Sequence, residues 1–95
     1  MKSTYQNKII DTIRELRIKH HTSQEELATL LHLSSGHIGN IESPKMGHKY
    51  TLKQLYTLCK QFHYPIEQLF LEESDYTSGE DIVSKVIQKI IQYES

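Results

Sequence analysis

Between Ser23 and Ser43 the chain reads SQEELATLLHLSSGHIGNIES, a stretch rich in groups that donate and accept hydrogen bonds. It has no nucleophile beside a base, no phosphate-cradling glycine loop and no carboxylate pair in a catalytic setting. The six histidines, His20, His21, His32, His37, His48 and His63, show neither an HExxH pattern nor a cysteine partner at ligand spacing. Neither an enzyme, a metal site nor a cofactor is therefore expected. The chemistry within reach is reversible recognition.

The 95 residues fit one small domain with an added tail, enough for a modest core but not for a deep cavity between layers. The lone Cys59 cannot form an intramolecular disulfide and suits a reducing compartment as a core thiol. The opening MKSTYQNK lacks the apolar run of a signal peptide, and no stretch has membrane-spanning length, so a cytoplasmic location is expected. Net charge is −1, but it is unevenly spread. Residues 1–64 hold nine Lys/Arg against five Asp/Glu, and residues 65–95 hold two against seven. That asymmetry suggests a basic working half and an acidic rear.

The elements that position the central stretch follow from periodicity and capping. Ile9, Ile10, Ile13 and Leu16 predict a first helix over 8–19. Ser23 with Glu26 has capping-box spacing and opens a second helix, with Leu27, Leu30 and Leu31 as its apolar stripe. His32 and Leu33 form a turn, and Ser34 caps a third helix over about 35–42 anchored by Ile38 and Ile41. A loop follows, punctuated by Pro44 and Gly47. Thr51 with Gln54 opens a fourth helix to about Phe62, and Pro65 starts a short fifth over 66–71. Residues 72–79, EESDYTSG, read as a linker. Ser78 with Asp81 opens a last helix carrying Ile82, Val83, Val86, Ile87, Ile90 and Ile91 as one apolar stripe. The expected class is all-α. The expected domains are a compact helical domain over 1–72, a linker over 73–79 and an amphipathic helix over 80–95.

A helix-turn-helix makes specific demands. Two short helices must cross steeply over a brief turn, with a small residue at the crossing and an open outer face on the second helix. Ala28, the anchors Leu27, Leu31, Leu33, Ile38 and Ile41, and the slim segment after Ser34 meet them. The segments IRELR (Ile13–Arg17), SQEELA (Ser23–Ala28), LSSGHI (Leu33–Ile38) and Ile41-Glu42 resemble the Cro and phage-repressor (XRE) helix-turn-helix family. The likeness continues through TLKQL (Thr51–Leu55) and IEQLF (Ile66–Phe70), covering about residues 7–71. His32 stands where the family usually has a turn glycine, and Pro65 where it has a serine before the fifth helix. The third helix lacks Arg and Gln on its base-facing side.

The resemblance implies a compact five-helix domain that binds double-stranded operator DNA, usually as a dimer, here with a C-terminal amphipathic helix added. It places Ser35, Gly36, Gly39 and Asn40 against base edges, with Asn40 able to make a bidentate contact to adenine. It puts Gln24 at a phosphate, beside free N–H groups at a helix start. His37, and the loop residues Ser43, Lys45, His48 and Lys49, are expected at or beside phosphates. Arg17 and Glu42 match a salt bridge tying the first helix to the third.

The C-terminal stripe Ile82, Val83, Val86, Ile87, Ile90 and Ile91 is too apolar to stand in water, and is expected to pair two copies. The function expected is a bacterial or phage-type transcriptional regulator, a repressor acting as a homodimer. The alternative is an antitoxin-like autoregulator whose C-terminal helix binds a partner protein.

Overall fold

The computed structural model describes residues 1–95, and all its regular elements are helices. Five of its seven helices start where a Ser, Thr or Asp side chain accepts a free backbone N–H. α1 spans Thr4–Lys19, α2 Gln24–Leu31, α3 Ser35–Glu42, α4 Leu52–Gln61, α5 Ile66–Phe70, α6 Glu73–Tyr76 and α7 Ile82–Glu94. Ser23 with Glu26, and Thr51 with Gln54, form reciprocal capping boxes as their spacing predicts. Ser3 and Gln6 form a third, which starts α1 a full turn ahead of the expected Lys8. Asp81 rather than Ser78 caps α7, accepting from the Ser84 N–H.

Three histidines end helices in the left-handed region: His21 (φ 54°), His32 (φ 59°) and His63 (φ 53°). In each case the next residue reaches back to close the last turn. Thr22 N–H donates to Arg17 O at 2.9 Å, Leu33 N–H to Ala28 O at 2.8 Å, and Tyr64 N–H to Cys59 O at 2.8 Å. This is the termination usually made by glycine. Half of the chain's histidines thus have a backbone role.

The core is a single cluster built from α1 to α5 together with Tyr50 and Tyr93, in which Ile13, Leu27, Ile38, Ile41, Leu55 and Leu58 are fully buried. Burial pushes the Cys59 thiol up to about 11, well away from reactivity at neutral pH. No helix is long and apolar enough to cross a membrane.

The stretch expected to be a linker is partly ordered. Residues 73–76 coil into α6, because the buried Asp75 accepts the Glu72 N–H at 2.8 Å and lies 4.0 and 3.8 Å from Lys85 and Lys89. The Glu72 N–H holds the Asp75 carboxyl below the usual range, helped by the two lysines.

α7 folds back on its own domain, against α1, α5 and α6. Tyr93 drives this contact: its ring is fully buried, and its hydroxyl donates to Tyr50 O at 2.7 Å. Gln6 Nε2 donates to Tyr93 O at 2.6 Å. The six-residue stripe therefore divides. Ile82, Val86 and Ile90 are half-buried on the domain side, while Val83, Ile87 and Ile91 stay 63%, 51% and 61% exposed.

Candidate nucleic-acid interface

α2 and α3 pack closely, with the small Ala28 of α2 buried at 3% exposure. His32 turns the chain in left-handed geometry, and Ser34 Oγ accepts the His37 N–H at 3.1 Å to start α3. Ile38 and Ile41 anchor the inner side. The outer side presents Ser35, Gly36 and Asn40 exposed, with His37 and Gly39 half-buried.

The two glycines are not forced by packing. A Cβ on Gly36 would lie 3.9 Å from Ser34 Oγ, and one on Gly39 3.8 Å from Gln24 Oε1, both ordinary contacts. Glycine costs about 1 kcal/mol relative to alanine in a helix interior. What it gives here is a face slim enough for close backbone approach.

An ion-pair network fixes the end of α3. Arg17 Nε and Nη2 donate to the two Glu42 carboxylate oxygens at 2.8 and 3.0 Å, and Nη1 donates to Thr22 O at 2.9 Å. Both side chains are largely buried, at 12% and 6% exposure. The geometry is bidentate, the stronger form of an arginine–carboxylate contact. Gln24 joins the network: its Nε2 donates to Glu42 Oε1 at 2.9 Å. One of the two amide N–H groups of this expected phosphate contact is therefore already engaged with protein, and the other has no partner within the chain. Tyr50 lies against the same group, its hydroxyl buried without a hydrogen-bond partner. Desolvation raises its pKa, the Glu42 charge adds to this and Arg17 opposes it.

Lys2 holds the same end from the other direction. It is 6% exposed, and its ammonium donates to the carbonyls of Ile41, Ser43 and His48 at 2.5, 2.8 and 2.9 Å. It thereby caps the C-terminus of α3 and closes the following loop upon it, a favourable place for a cation. Desolvation lowers its pKa, and Asp11 pulls the other way. Nothing in MKSTYQNK signals this role.

The loop after α3 departs from expectation at one position. Lys49 does not point toward the α3 face. It turns to the C-terminus of α7, donating to Tyr93 O and Glu94 O at 3.1 and 3.2 Å and lying 5.3 Å from the Tyr93 ring centroid. Lys45 and His48 remain exposed, and Ser43 is half-buried as the α3 C-cap. His48 packs edge-on against His37 with centroids 5.5 Å apart, so two expected contact residues from different elements meet beside the α3 N-terminus. No three His, Cys, Asp or Glu residues are grouped to hold a metal ion.

Among known proteins, a helix-turn-helix family matches residues 13–69, from the second half of α1 to the end of α5. No curated protein and no solved structure matches the chain significantly.

Proposed function

Since the chain belongs to the Cro and phage-repressor (XRE) family of DNA-binding helix-turn-helix regulators, we propose that it is a sequence-specific repressor that reads operator DNA with α3. The observation that carries this reading is the slim face of Ser35, Gly36, Gly39 and Asn40, on a helix fastened by Arg17, Gln24 and Lys2. Asn40 is its one amide able to donate and accept toward the same base, and adenine fits that pair. Lys45, His48 and His37 contact phosphates beside it, and the free N–H of Gln24 contacts another at the start of α2. The protein acts by occupancy, as a homodimer on two half-sites about 34 Å apart.

In vitro selection of bound DNA with the pure protein, repeated with Asn40→Ala, tests this reading. The expected result is a defined sequence whose adenine preference is lost in the variant. Wild-type protein that selects no sequence above the non-specific level at physiological salt would refute it.

A further inference from the structure

Lys49 is the cation of the α3 loop that the fold turns elsewhere, and what holds it is α7. Its ammonium caps the last turn of that helix through Tyr93 O and Glu94 O, and it lies over the Tyr93 ring. The last carbonyls of a helix have no partner within it, and the helix dipole makes that end negative, so a cation is well placed there. Lys49 is nevertheless the neighbour of His48, whose ring packs on His37 at the start of α3. A flexible lysine freed at this position stands beside the face that α3 turns to DNA.

The helix that holds Lys49 is itself held by little. Tyr93 is the one residue of α7 that is fully buried, and Ile82, Val86 and Ile90 are only half-buried. Residues 77–81, which join α7 to α6, are all exposed, and Gly79 sits among them at φ 79° with nothing within 4 Å of where its Cβ would stand. Apart from Tyr93, every residue of the core cluster comes from α1 to α5 or is Tyr50. α7 can therefore swing out about residues 77–81 while the five-helix core keeps the rest of its packing.

We propose that α7 is an autoinhibitory strap: docked, it withholds Lys49 from DNA, and released, it gives the domain one more phosphate contact. The proposal rests on the DNA-binding reading above and adds a regulation to it. While α7 is docked, moving Lys49 to a phosphate gives up two hydrogen bonds and the contact with the Tyr93 ring. The docked turn is also fixed independently of Lys49, since Gln6 Nε2 donates to Tyr93 O and the Tyr93 hydroxyl donates to Tyr50 O. Once α7 has left, the lysine has nothing to give up. Phosphate contacts position a protein without reading sequence, so the strap lowers affinity for DNA of every sequence alike.

Two changes to the full chain test this. Tyr93→Ala removes the side chain that docks α7. Val86→Ala combined with Ile90→Ala loosens the same face while leaving Tyr93 in place, and carries the test should Tyr93→Ala fail to fold. Neither alters a charge or a residue beside α3. Circular dichroism checks folding, and faster hydrogen exchange along α7 reports its release. Binding is measured on random-sequence duplex DNA, so that failure to select an operator and failure of the strap give different results. Each released variant is expected to bind more tightly than wild type although its Tm is lower, a pairing that loss of packing alone does not produce. One added phosphate contact per copy steepens the slope of log affinity against log salt by about 0.9, so the gain at about 50 mM salt should shrink about threefold by about 200 mM. Adding Lys49→Met should cancel most of the gain and restore the slope. A folded variant with α7 released that binds no more tightly than wild type, or a gain undiminished by Lys49→Met, would overturn the proposal.

Discussion

Replacing Lys2 with methionine keeps the length of the side chain and removes the ammonium that closes the end of α3. Three charge-assisted hydrogen bonds go with it. At about 1.5–3 kcal/mol each they would suggest a very large loss, but two of the acceptors recover water. Ser43 is half-buried and His48 exposed, so their carbonyls can be rehydrated. Ile41 is fully buried, and its carbonyl is left without this partner, at about 1–3 kcal/mol. Loss of a cation at a helix C-terminus adds about 0.3–1 kcal/mol. The relief of an ammonium that burial had desolvated, seen in its lowered pKa, offsets part of this. The net is about 2 kcal/mol, or about 10 °C in Tm for a domain of this size. Thermal unfolding followed by circular dichroism measures it. DNA affinity adds a second readout: binding to the selected site should weaken more than binding to random DNA, because a loosened α3 loses base contacts while phosphate contacts adapt. A Tm within about 2 °C of wild type, with specificity intact, would refute the capping role.

Three further outcomes follow from the same geometry. Arg17→Met leaves Glu42 buried with Gln24 as its remaining hydrogen-bond partner and Arg14 at 3.8 Å, so the loss should fall near the low end of the range for broken buried pairs, about 3 kcal/mol, as denaturant unfolding would show. His32→Gly should raise Tm by several degrees, since a left-handed non-glycine residue costs about 1–2 kcal/mol and glycine's entropy returns only part of that cost; an unchanged or lower Tm would count against strain at the turn. Burial raises the phenols of Tyr5 (to about 12), Tyr50 and Tyr93, so folding favours their neutral forms. That stability is fully present below the ordinary tyrosine pKa of about 10 and is lost as pH rises through the raised values. Phenolate absorbance should therefore show a late titration coincident with unfolding, and a single transition near the ordinary value would contradict the docking of α7.

Much of this structure was legible because its determinants are local. Ser23 with Glu26, Thr51 with Gln54, and Ser34 lie within three residues of the N–H groups they satisfy, so spacing alone placed α2, α3 and α4. The Ser3–Gln6 box was equally local, yet it precedes the apolar periodicity and so fell outside the helix expected from it. The Arg17–Glu42 pair came from the resemblance. Gln24 shares their carboxylate, a contact that needs α2 and α3 in place. α7 was recognised as amphipathic, but six apolar residues at helical spacing cannot say which three face the domain. Tyr93 decides it by entering the core.

The basic half of the chain shows why charge counting was the weakest guide. Of its nine cations, Lys2 and Lys49 cap helix C-termini, Arg17 is bonded to Glu42, and Lys8 pairs with Glu72. Lys60 lies over the Tyr56 ring. Beside α3, Lys45 is the lysine left exposed. Each phosphate contact made by a cation contributes about −0.9 to the slope of log affinity against log salt. Few such contacts per copy mean a shallow slope and weak binding by a lone domain.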